Sequence, residues 1–151
     1  MRKLLSIVCL SCLFAAPAFA QIQNKGQSKA IEIPFRLIDG VIWLQVRING
    51  SGPLNFPLDT AAGNDVIDRA RAEELKLPLL EAGVQAGAGT GDGTARIAIA
   101  ENVGFSVGPV SYTNPRVGVV PHDGVSRAYG ERMDGLLGRG FLSRWIVTVD
   151  Y

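Results

Sequence analysis

From residue 31 onward the apolar positions come in short blocks separated by clusters of turn-forming residues. IEIPFRL (31–37) and VIWLQVRI (41–48) are rich in β-branched and aromatic residues and predict two strands, with the hairpin-favouring pair Asp39-Gly40 between them. Asn49-Gly50-Ser51-Gly52-Pro53 is a second turn cluster, and LNFPLD (54–59) follows it as a third strand, so the domain opens as a β meander. The period then changes. RARAEELKL (69–77) predicts a helix, because Asp68 stands where an N-cap acceptor is wanted and Pro78 blocks continuation. Val84 to Ala86 and TARIAIA (94–100) flank the glycine-rich GAGTGDG (87–93), which reads as a long hairpin with a mobile tip. Strands are expected at NVGFSV (102–107) and PRVGVV (115–120), a short helix around 125–131, and a closing strand at IVTVDY (146–151) after MDGLLGRGFLSRW (133–145). Many short strands with Gly and Pro punctuation, no internal repeat and no second domain indicate an all-β barrel or sandwich with one or two short helices.

The first twenty residues lie outside this pattern. MRKLLSIVCLSCLFAAPAFA has a basic start at Arg2 and Lys3, an apolar stretch and an Ala18-Phe19-Ala20 end. It reads as a secretory signal peptide cut after Ala20, which makes the product exported, periplasmic or secreted. The apolar stretch is shorter than the ~20 residues that span a bilayer, so no membrane association is expected after cleavage. QIQNKGQSKA (21–30) is polar and aperiodic, a flexible leader to a domain at 31–151.

Composition narrows the chemistry. Both cysteines, Cys9 and Cys12, fall in the signal segment, so the mature chain has no thiol for a disulfide, a metal or a nucleophile. The single histidine, His122, cannot build a multi-histidine zinc site, and any Ser-His-Asp mechanism would have to run through it. Without Arg2 and Lys3 the 15 basic residues become 13 against 14 acids, a net charge of −1 that suggests neither nucleic acid nor an anionic membrane as partner.

The stretch that carries chemistry is LNFPLDTAAGNDVID (54–68), where an acid ends an apolar run and small residues follow it. Taken alone, Asp59 fits a strand-end acid bonding a turn amide. FPLDTAAGNDVID together with the later MDGLLGRGFL (133–142), however, resembles the retropepsin-like aspartic proteases of the bacterial exported branch. The resemblance covers about residues 40 to 151 and implies a small closed β-barrel. It implies Asp59 as the catalytic carboxylate, Thr60 holding the active-site turn through its hydroxyl, and Ala61, Ala62 and Gly63 completing that turn. Leu136, Leu137 and Gly138 would thread beside the turn as a ψ-shaped loop. Gly87, Gly89, Gly91 and Gly93 would belong to a flap closing over a peptide. They lack the Lys and the strand-to-helix setting of a phosphate-binding loop.

The chain has one such Asp-Thr turn, so the resemblance implies a homodimer acting on a peptide or protein substrate, without metal or cofactor. Two carboxylates at about 3 Å cannot both ionise, so they share a proton and divide the roles of base and acid. Ala61 is a departure, since the family has Gly there. Were a positive φ required, its Cβ would cost roughly 1–2 kcal/mol. That departure keeps open a second reading, a catalytically inactive domain that binds peptides or a protein partner by strand addition. A third is an unrelated β-sandwich in which Asp59 is structural. Among the other polar residues, Asp65 and Asp68 read as turn and cap residues, Asp134 as a turn acceptor and His122 as a solvated loop residue. Trp43 and Trp145 read as core or interface anchors.

Overall fold

The computed structural model describes residues 30–86 and 94–150. Eight strands and three short helices follow in chain order: β1 Arg36–Ile38, β2 Val41–Ile48, β3 Leu54–Pro57, β4 Val66–Asp68, α1 Arg69–Glu74, β5 Leu79–Ala86, β6 Thr94–Val107, β7 Val110–Val120, α2 Asp123–Tyr129, β8 Gly135–Leu136 and α3 Arg139–Leu142. The expected signal segment, nearly all of the expected leader and the glycines of 87–93 lie outside the described residues.

The opening meander forms as its turns dictate. Asp39 and Gly40 both take positive φ (50° and 76°), as do Asn49 and Gly50 (47° and 78°), the pattern of tight turns that match strand twist. Strand β1 is shorter than expected, because only residues 36–38 pair with β2. The ladder runs β1-β2-β6-β7-β4-β8, with β3 on β2 and β5 on β6. All described pairings are antiparallel except β4 with β7 and an isolated parallel bridge between Leu58 and Leu137.

The architecture is the expected all-β fold, but its sheet is not closed as a continuous ladder. Single backbone bonds join the β8 end to β3 instead: Asp134 N–H to Asn55 C=O, Leu137 N–H to Pro57 C=O and Asp59 N–H to Leu137 C=O, each 2.9 Å.

Strand β6 runs unbroken where two strands were expected. Its buried face carries Ala98 and Ala100, then Val103, Phe105 and Val107, so the alternation slips by one at Glu101-Asn102. Facing it, β7 slips in step, from Val119 and Val117 to Asn114 and Val110. The register holds through the slip, with Glu101 opposite Arg116 and Val103 opposite Asn114. Asn102 absorbs the change at φ 53°, opposite Pro115, which has no N–H to offer the ladder.

An aromatic file crosses the core. Phe56 meets Phe105 edge-on (6.2 Å), Phe105 stacks on Tyr112 (5.1 Å) and Tyr112 leans on Phe141 of α3 (5.9 Å). Trp43 is buried as expected and meets Tyr129 of α2 edge-on, whereas Trp145 is exposed. Residues 146–150 form no strand in the single chain.

Candidate active site

Strand β3 delivers Asp59, half-buried, to the start of a turn. Two opposed backbone bonds fix its position, since Leu137 donates to Pro57 and accepts from Asp59. Leu136, Leu137 and Gly138 therefore thread beside the Asp59 turn, and an unrelated sandwich with a structural acid does not account for this crossing. The Ala61 N–H donates to Asp59 Oδ1 at 2.8 Å. Ala61 is absent from the non-glycine residues with positive φ, so its Cβ meets no left-handed strain. Gly63 has no positive φ either, and a Cβ there would meet nothing within 4 Å. Thr60 is exposed, and among the described residues its hydroxyl makes no hydrogen bond. Within one chain the turn is held by the Ala61 amide on Asp59 Oδ1 and the Ala62 amide on the Asp59 carbonyl at 3.4 Å, without a bond from the Thr60 hydroxyl. The hairpin expected to carry the flap is present in its arms, β5 and β6, paired as far as Ala86 with Thr94. Gly87, Gly89, Gly91 and Gly93 at its tip are outside the described residues.

Three acids assigned to turns or caps turn out to be joints of the site. Asp65 has no exposed surface. Its Oδ1 accepts the N–H groups of Gly138 (2.9 Å) and Phe141 (3.0 Å), and its Oδ2 accepts Tyr112 Oη (2.8 Å) and Asn114 Nδ2 (2.9 Å). Burial, then the neighbouring Asp65 charge, push the Tyr112 hydroxyl above its ordinary range, so it remains a donor. Asp134 is buried, and its Oδ2 accepts the Asn55 N–H at 2.8 Å while Oδ1 accepts Arg71 Nε at 2.9 Å and Arg132 Nε at 3.0 Å. It ties β3, α1 and β8 together. Asp68 is the N-cap it was expected to be, accepting the Arg71 N–H, and its other oxygen accepts the His122 N–H at 2.8 Å.

His122 is not a solvated loop residue. It is 7% exposed, its Nδ1 has no hydrogen-bond partner among the described residues, and burial pushes its basicity down.

The glycines of GLLGRG are demanded by close approach. A Cβ on Gly135 would overlap the Phe56 ring and the Val66 carbonyl, one on Gly138 the Asn64 and Ala62 carbonyls, and one on Gly140 the Asp65 carboxylate and the Asn114 amide. That spacing was the sequence signal for a buried partner, because glycine in a short apolar segment marks another group passing close by. It could not say that the partner was Asp65.

A surface cleft of about 240 Å³ is lined by Asp68, Asp123, Ser126, Arg127 and Met133, and a second of about 300 Å³ by Asn49, Phe105, Ser111 and Tyr112. Asp59 lines neither. Among the described residues no group of three His, Asp or Glu side chains is placed to hold a metal.

Residues 44–141 match the family described as "Aspartyl protease". Among solved structures, a retropepsin-like aspartic protease from Rickettsia conorii superposes with a TM-score of 0.55 at 19% identity, over 79% of this chain and 95% of its own. EIAV protease, in complex with the inhibitor HBY-793, aligns with a TM-score of 0.49 at 21% identity, over 78% and 94% of the two chains. The retroviral protease-like domain of Ddi1 from Leishmania major gives 0.46 at 16%, over 69% and 76%. No curated protein sequence matches. With the family match spanning the strand that delivers Asp59 and the glycine segment that crosses it, the chain belongs to the aspartyl protease family and has a retropepsin-like fold.

Proposed function

We propose that the chain is an exported aspartic endopeptidase that hydrolyses peptide bonds as a homodimer, with one Asp59 from each chain and without metal or cofactor. The observation that carries this reading is the setting of the Asp59 side chain. Oδ1 accepts the Ala61 N–H, while among the described residues Oδ2 accepts no hydrogen bond. A carboxylate oriented through one oxygen, with the other unused, is set up to act on something outside its own chain. Hydrolysis by this route needs two carboxylates, one to take a proton from water and one to donate to the carbonyl. A twofold axis supplies the second.

The exposed run Trp145, Ile146, Val147 and Val149, with Ile146 at 101%, supports association between copies, since a contiguous apolar surface marks a contact site. An acidic optimum follows from the shared proton: the pair works while singly protonated and the rate falls once both carboxylates ionise.

The second reading, an inactive domain that binds extended peptides, is favoured by the methyl group that Ala61 places where the family has none. Incubating the mature protein with a mixed peptide library across a pH series, beside Asp59→Asn, tests the two. Wild-type cleavage abolished in Asp59→Asn is the expected result, and cleavage that persists in the variant overturns the mechanism. Peptide retention without cleavage in either protein points to the second reading.

A further inference from the structure

We infer that Asp65 is the positioning residue of this site: its carboxylate locks the glycine segment against the Asp59 turn and so fixes where the Asp59 carboxylate stands. That it serves catalysis rests on the peptidase reading; the lock itself does not.

The chain of contacts is short. Asp59 is anchored through its N–H to the Leu137 carbonyl, so its place depends on where residues 137–141 lie. Those residues are held by four bonds from the turn side. Asp65 Oδ1 takes the Gly138 and Phe141 amides, the Ala62 carbonyl accepts the Arg139 N–H at 3.0 Å, and the Gly63 carbonyl accepts Arg139 Nε at 3.3 Å. Two of the four run through one oxygen of one side chain. Gly138 and Phe141 are amides that open α3, a helix of four residues whose N-cap, Gly138, has no side chain for them; the Phe141 N–H is shared between the Gly138 carbonyl at 3.1 Å and Asp65, and the Gly138 N–H goes to Asp65. Asp65 reaches them from 73 and 76 residues away in sequence.

The site is also built around the carboxylate. Gly140 leaves the space in which Oδ2 sits, and any Cβ there would displace it. Oδ2 in turn is held by Tyr112 and Asn114, and Asn114 Nδ2 also donates to Asn64 Oδ1 at 2.9 Å. Asn64 reaches on to the Arg116 carbonyl at 2.6 Å. Turn, β7 and α3 are thereby clamped at one buried point, and Arg144, over the Tyr112 ring at 4.9 Å, closes its outer side. Among the described residues no cation pairs with Asp65. A fully buried acid fixed by four neutral donors gains its place from geometry, and misplacing a reacting group by about 1 Å is enough to lose roughly 100-fold in rate.

The test compares Asp65→Ala, Asp65→Asn and Gly140→Ala with Val46→Ala, a core variant on β2 chosen for similar loss of stability. Amide hydrogen exchange is followed in the mature protein, and kcat and KM on any peptide it cleaves. In Asp65→Ala and Gly140→Ala, segments 58–62 and 137–142 should exchange faster than in Val46→Ala, with β5, which makes no contact with the carboxylate, unchanged. For kcat the expected fall is about 100-fold with KM within about threefold. Asp65→Asn keeps an acceptor for the Gly138 and Phe141 amides but turns an –NH2 on the Asn114 Nδ2 donor, so its exchange and kcat should lie between those of Asp65→Ala and wild type. Should Asp65→Ala not fold, Gly140→Ala carries the same comparison, because it displaces the carboxylate without deleting it. Exchange in the two segments no faster than in Val46→Ala overturns the inference, as does a fall in Asp65→Asn equal to that in Asp65→Ala. A wild-type protein without peptidase activity would refute the proposed function alone, since the exchange pattern is read without turnover.

Discussion

At the scale of single residues, the departure that sets this chain apart has a sign that can be measured. Ala61 was expected to strain the turn if its backbone had to be left-handed; it is not, and its amide orients the Asp59 carboxylate. Ala61→Gly therefore relieves nothing. It enlarges the conformational freedom of the unfolded chain and should lower stability by about 0.4–1 kcal/mol, read from urea unfolding. A more stable Ala61→Gly protein would mean that the turn is strained after all. The opposite substitution has a harsher outcome at Gly135. A Cβ there meets the Phe56 ring and the Val66 carbonyl together, and the carbonyl belongs to the β4 ladder and cannot swing away. Gly135→Ala should cost at least the ~1–3 kcal/mol typical of overpacking. A loss within error of zero in the same unfolding assay would show that β8 can shift away from β3.

At the scale of elements, the helices are weak by themselves and depend on what caps them. Helix α1 is six residues long, ends at Glu74 rather than at Leu77, and turns left-handed at Lys76 (φ 54°). Its N-cap, Asp68, also holds the backbone of His122 at the entry to α2, so one carboxylate serves two elements. His122 itself titrates at that junction. Burial lowers its pKa from the ordinary 6.5, opposed by the charges of Asp68, whose Oδ1 lies 3.9 Å from Nδ1, and of Asp123. A base whose folded value is depressed leaves stability untouched above 6.5; below it the unfolded chain takes the proton first, and stability falls until the folded value is passed. His122→Gln should remove that part of the acid slope, seen as a difference between the urea midpoints of the two proteins that changes across pH 6.5 and below. Parallel curves would show that the imidazole is not buried in solution.

These same elements show what could be read from the chain. Strand β2 and its flanking turns were legible because an Asp-Gly pair and an unbroken apolar run leave no other structure. The Asp59 turn and the LLG segment were legible as an ordered pair. Strand β4 was not, because three residues give no period, and β5 was mostly hidden by Pro78 and by the bulge between Glu81 and Gly83. The slip of phase in β6 and β7 looked like a gap between strands because alternation is a local signal, and both strands change face together. Asp65 was misread for a different reason: a buried carboxylate whose partners are backbone amides seventy residues away has no complementary charge in the sequence to betray it.

At the scale of the whole molecule, two features of the single chain bear on the proposed dimer. Its Asp59 carboxylate is oriented through one oxygen only, and it exposes the apolar residues Ile146, Val147 and Val149 on a segment that pairs with nothing among the described residues. Unpaired backbone beside apolar side chains is a template for another chain, and burying three β-branched side chains at ~25 cal/mol per Å² makes such pairing favourable. If both features have one cause, the tail brings together two copies and the two Asp59 turns meet as a result. Removing residues 146–151 should then leave the core intact, since no strand of the described sheet includes them. It should convert the protein to single chains in sedimentation and abolish cleavage, while the thermal transition of the isolated fold persists. In the uncut protein, activity at low concentration should rise with the square of the amount of chain, because the proposed active species is a dimer. A truncated protein that still sediments as a dimer would move the interface elsewhere, and one that cleaves peptides as a single chain would leave Asp59 without any need of its copy.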